Sequence, residues 1–80
     1  MKIEVKQEHI DKGIQCSAES CPIARAVKAK THRSVYVSDN DMHYTRSSGN
    51  TVMVDLPTVA QKFIAAFDKG QKVRPFAFEV

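Results

Sequence analysis

The sequence predicts a small α+β domain: a mainly antiparallel sheet with two helices packed on one face, in the order β-α-β-β-β-α-β. Three observations carry the prediction. Short segments alternate apolar and polar residues, two longer segments repeat apolar residues at helical spacing behind a proline, and the chain is only 80 residues long. At that length a chain buries roughly 60–65% of its unfolded surface, enough for one core, so residues 1–80 form a single domain.

Met1–Lys6 sets Ile3 and Val5 against Lys2, Glu4 and Lys6, the period-two pattern of a half-buried strand. Gln7–Lys12 has room for one helical turn before Gly13, where freedom at positive φ suits a chain reversal. Ile14–Ser20 reads as loop. Ser20 or Cys21 caps the next helix, with Pro22 in its first turn where a missing N–H costs nothing. Ile23, Ala26, Val27 and Lys30 recur at i, i+3, i+4 and i+7, which predicts a helix over Pro22–Lys30 with the lysine stem at the edge of its apolar face.

Ser34–Ser38 is β-branched and aromatic, Asp39-Asn40-Asp41 supplies turn chemistry, and Met42–Arg46 returns as a hairpin. After the turn residues Ser47-Ser48-Gly49-Asn50, Thr51–Val54 extends it to a three-stranded meander. Asp55 or Leu56 introduces the second helix, with Pro57 in its first turn. Leu56, Val59, Ala60, Phe63, Ile64 and Phe67 fall on one face of it. Gly70 stops it, and Phe76, Phe78 and Val80 alternate in a last strand that needs a partner to hide its aromatic face.

Twelve Lys and Arg against nine Asp and Glu give a net charge of +3, a mild preference for anionic partners. No apolar run approaches the roughly 20 residues of a membrane span, and the N-terminus lacks a signal-peptide core, so a soluble, cytoplasmic protein with no membrane partner is expected. No catalytic motif stands out, and the chain is read as a non-enzyme.

Four features are candidate sites. His9, Cys16 and Cys21 carry ligand types that zinc prefers, with His32 or His43 as further donors, although Cys16-x4-Cys21 has no second pair at finger-like spacing; free thiols and a short-loop disulfide remain alternatives. The start of the first helix is a candidate anion site, with the backbone amides, Ser17 and Ser20 as donors, Arg25 one turn in as a clamp, and Cys21 available as a thiolate. Lys28, Lys30, His32, Arg33 and Arg46, with Lys69, Lys72 and Arg74, would attract phosphate backbones if the fold gathers them, Tyr36 or Tyr44 stacking on bases. Tyr36 and Tyr44 are also candidates for an aromatic contact patch on the meander. The ligand-binding set is thus Ser20, Cys21, Arg25, Arg33, Tyr36 and Arg46. A chain this small with an edge strand is expected to form a homodimer by extending its sheet or packing helix faces.

The run EHIDKG, the two cysteines followed by CPIARAV, and the ending FIAAFDKGQKVRPFAFEV resemble a group of short proteins encoded in tailed-bacteriophage and prophage genomes, over both ends and roughly half of the chain. The cysteines of that group stand closer together than Cys16 and Cys21. By analogy with phage accessory proteins of this size, the resemblance implies a non-enzymatic binding protein that counters a bacterial defence system. It would block a host defence protein or sequester a small anionic or nucleotide ligand. A nucleic-acid-binding regulator and a small zinc-binding module are the alternatives.

Overall fold

A computed structural model describes all residues 1–80. The chain runs β1 (Lys2–Val5), α1 (Gln7–Lys12), α2 (Pro22–Thr31), β2 (Val35–Val37), β3 (Asp41–Thr45), β4 (Thr51–Asp55), α3 (Thr58–Asp68) and β5 (Phe76–Glu79). The α+β class, the strand order and the antiparallel pairing are as the sequence predicts. Two features differ: Gln7–Lys12 is a third, short helix, and the strands divide between two sheets, a β1-β5 ribbon and a β2-β3-β4 meander. No helix is long and apolar enough to cross a membrane.

The ribbon joins the two ends of the chain, with Ile3 opposite Phe78 and Val5 opposite Phe76. The last strand thus finds its partner within the same chain, and the aromatic face it carries is covered by α3. Phe63 lies 4.7 Å from Phe76, ring centroid to ring centroid, and 6.2 Å from Phe67, while Phe76 continues to Phe78 at 5.6 Å. Separations in this range suit the offset packing that aromatic rings prefer.

The core sits between the two sheets and the helices. Ile3 and Val5 of the ribbon, Ile23, Ala24, Ala26 and Val27 of α2, Val35, Val37 and Met42 of the meander, and Leu56, Ala60, Phe63 and Ile64 around α3 are all buried. The α2 stripe is the predicted one with Pro22 and Ala24 added. On α3 the predicted face holds except at Val59, which is exposed; Leu56 is buried but precedes the helix, whose N-cap is Pro57.

Gly13 departs from its predicted role. Its φ is −67°, not positive, so conformational freedom is not what the position uses. A Cβ there would come 2.6 Å from Pro22 Cγ and 2.7 Å from Pro22 Cδ, so glycine is needed for close approach. The left-handed positions are Cys16, His32, Gly49 and Gly70. Gly70 ends α3 as expected, its N–H donating to Phe67 O at 3.0 Å.

Candidate anion-binding face

At the start of α2 most of the backbone donors of the predicted anion site are engaged or buried. Cys21 is the N-cap and its Sγ accepts from the Ala24 N–H at 3.4 Å; Pro22 has no N–H; and Pro22, Ile23 and Ala24 are buried. Ser20 is engaged through its backbone, its N–H donating to Ser17 Oγ and its carbonyl accepting from Ile14 N and Arg25 Nε. Burial also disfavours the Cys21 thiolate. It raises the thiol pKa above 9.0 against weaker lowering by the Ala24 and Ile23 amides, and the Asp68 carboxylate adds a still smaller upward push. Desolvation outweighs the capping position here.

The zinc reading meets a similar obstacle. Cys16 is exposed and Cys21 buried, both as free thiols, and they border one depression with Asp39 and Asp68. His9 lies elsewhere, in the floor between α1 and β1, and no group of three or more His, Cys, Asp or Glu side chains is placed to hold a metal ion.

Tyr36 and Tyr44 do not form one patch, because the register sends them to opposite faces. Tyr44 pairs with Val35 and packs on the core, whereas Tyr36 pairs with His43 on the outer face. The Tyr36 hydroxyl faces Glu19, and that hydrogen bond, with the negative charge behind it, raises the tyrosine pKa. Arg33 follows α2, and Arg46 follows β3 at the far turn, where its N–H donates to Asn50 O. The predicted set Ser20, Cys21, Arg25, Arg33, Tyr36 and Arg46 therefore does not converge on one site.

A different set does converge. Two adjoining open depressions share Glu8, His9 and Ala29, and run between β1, α1 and α2. Lys2, Lys6 and Lys30 border the first; Lys12, Arg25 and Lys28 border the second. These six are half of the twelve Lys and Arg residues, while only Glu4 and Glu8 of the nine acids accompany them, so this face exceeds the net charge of the whole chain. Lys2 has a long contact to Glu4 at 3.9 Å; Lys6, Lys12, Arg25, Lys28 and Lys30 have no ion-pair partner. Arg25 donates Nε to Ser20 O at 3.2 Å, which fixes the guanidinium and leaves its terminal nitrogens free.

His9 anchors this face from beneath. It is the buried polar residue of the domain, and its Nδ1 accepts from the Lys6 N–H at 2.9 Å, tying the start of α1 to its third position. Lys28, Lys30 and Arg25 belonged to the predicted basic or anion-binding residues. Lys2, Lys6, Lys12 and His9 as members of the same surface were not foreseen, and the signal for the first two was their shared parity against Ile3 and Val5, Lys2 within β1 and Lys6 just past its end. Comparison with protein-family models, with curated proteins and with solved structures gave no match.

Proposed function

We propose that this chain is a non-enzymatic binding protein of the phage accessory type, which holds a small anionic or nucleotide ligand on the β1–α1–α2 face and thereby counters a bacterial defence system in the host cytoplasm. One observation carries the reading: five cationic side chains without ion-pair partners surround His9 on a single face. Unneutralised Lys and Arg around a shared depression raise the local potential and attract phosphate or carboxylate groups. Arg25, held by Ser20 with its terminal nitrogens free, supplies the planar fork suited to two anion oxygens. The non-enzymatic reading is supported by the separation of His9 from Cys21, which border no common depression, and by the burial that disfavours the Cys21 thiolate.

The test is thermal unfolding of the chain with a cyclic dinucleotide and, separately, with a single-stranded oligonucleotide. A ligand bound only by the folded state stabilises it by about 2.7 kcal/mol at a hundred times its Kd. The dinucleotide is expected to raise Tm for the wild type and to lose that effect in Arg25→Glu/Lys28→Glu. If the oligonucleotide alone binds, with steep salt dependence, the nucleic-acid reading replaces this one. A Tm shift that survives the charge reversal sinks the assignment of the face.

A further inference from the structure

The backbone of β4 has one unused side. Leu56 N donates to Asn40 O and Arg46 N to Asn50 O, and between these two bonds the ladder pairs Val54 with Met42 and Val52 with Tyr44. In an antiparallel ladder, residues that exchange hydrogen bonds alternate with residues whose N–H and C=O point away. Val52 and Val54 therefore bond to β3, while the amides and carbonyls of Thr51, Met53 and Asp55 face outward, and none of them takes part in a backbone hydrogen bond elsewhere. The same alternation holds at the opposite edge, where Val37 N points away from β3 and is covered, donating to Ala18 O at 2.8 Å.

Edge strands are usually guarded by charge or proline at their outward positions. The ribbon follows that rule, since its ladder leaves Lys2 and Glu4 on one edge and Ala77 and Glu79 on the other. On β4 the outward positions are Thr51, Met53 and Asp55, so the one charge sits at the end of the strand and its centre is Met53, 62% exposed, with no lysine or proline on the strand.

We propose that two copies of the chain pair antiparallel through β4, about a two-fold axis at Met53, joining their three-stranded sheets into one. In one register a second copy fits as the occupant. Centred on Met53, the pairing sets Met53 against Met53 of the second copy and Thr51 against its Asp55, so every outward N–H and C=O of the strand finds a partner. A shift by two residues in either direction leaves some of them unpaired.

Charge favours the same register. Within one chain Asp41 already faces Asp55 across the ladder, so β4 is acidic at one end, while Arg46 lies beyond Thr45 at the other. The two-fold sets each acidic end beside the Thr51 end of its neighbour and keeps the two Asp55 side chains apart. On the core side Val52 would meet Val54 of the second copy, extending a half-buried apolar row. On the outer side the cross-strand row Tyr36, His43, Met53 would continue into its own mirror.

Sedimentation equilibrium tests the proposal, with a species of twice the 9.0 kDa chain mass expected for the wild type. Met53→Pro removes an N–H that β3 does not use, and Met53→Lys places a guarding charge on the edge; each is expected to halve the mass while far-UV circular dichroism stays folded. In a Cys16→Ser background, Met53→Cys should oxidise to a covalent dimer, whereas Thr51→Cys should not unless Asp55→Cys is added. A chain that is monomeric at every concentration overturns the proposal. So does a dimer that survives both Met53 substitutions, or cross-linking by Thr51→Cys alone.

Discussion

Gly13 lies so close to Pro22 that a methyl group at residue 13 would sit 2.6 Å from Pro22 Cγ, and the proline is itself among the fully buried residues of the chain. The contact locks the end of α1 against the first turn of α2. It is also the junction from which both helices approach the cationic face. A rigid, buried ring cannot swing aside as the end of a flexible side chain can. Gly13→Ala is expected to destabilise the fold by about 1–3 kcal/mol, the range of overpacking in a dense interior. Thermal unfolding checks it, and an unchanged Tm would show that the loop yields freely. Because the backbone at residue 13 is ordinary extended conformation, φ −67° and ψ 146°, the loss would be steric and not torsional.

His32 makes the complementary case. It ends α2 in the left-handed region at φ 57°, with its N–H donating to Lys28 O at 2.7 Å and its side chain in solvent. Glycine adopts this conformation without the Cβ penalty of about 1–2 kcal/mol. Its greater freedom in the unfolded chain returns part of that gain, roughly 0.5–1 kcal/mol. His32→Gly is therefore expected to raise stability by up to about 1 kcal/mol, read as a small upward shift in Tm. A fall in Tm would mean that the imidazole makes a contact that its exposure conceals.

Strand and helix identity were legible in the sequence because each rests on local periodicity. Ile3 and Val5, or Phe76 and Phe78, declare a strand whatever they pair with, and Ile23, Ala26 and Val27 declare a helical stripe. Partition of the strands into two sheets was not legible, because alternation marks a face and not a neighbour; β1 meets β5 across nearly the whole chain. The same reason hid the cationic face. Lys6, Lys12 and Arg25 become neighbours through the packing of α1 on α2, which no spacing within a single element reports. Register alone separates Tyr36 from Tyr44, since the two-residue hairpin end at Asp39 and Asn40 sets Val35, and not Tyr36, opposite Tyr44.

Phe63 is the bridge between α3 and the terminal ribbon, 4.7 Å from Phe76 and in line with Phe67. Its removal would leave an aromatic-sized void beneath the ribbon and strip Phe76 of its packing partner. Phe63→Ala is expected to cost about 3–5 kcal/mol, within reach of the total stability of a chain this short. Phe67→Ala, at a half-buried position, should cost less. Urea unfolding of the two variants ranks them, and equal losses would argue against Phe63 as the bridge.

The two cysteines should differ sharply in reactivity and in their effect on stability with pH. Cys16 is exposed and Cys21 buried, so a thiol reagent should modify one site per native chain and the second only on unfolding. Burial raises the Cys21 pKa above 9.0, so between the unfolded and folded values the native chain retains a proton that the unfolded chain has released. Stability from this thiol is then fully present below pH 9.0 and is lost as pH rises through the raised folded value. Cys21→Ser keeps an oxygen acceptor for the Ala24 N–H at the N-cap but has no proton to lose in this range. The variant should show a flatter decline in Tm above pH 9.0 than the wild type, while Cys16→Ser should decline as the wild type does. Identical alkaline profiles for all three proteins would remove Cys21 as the group responsible.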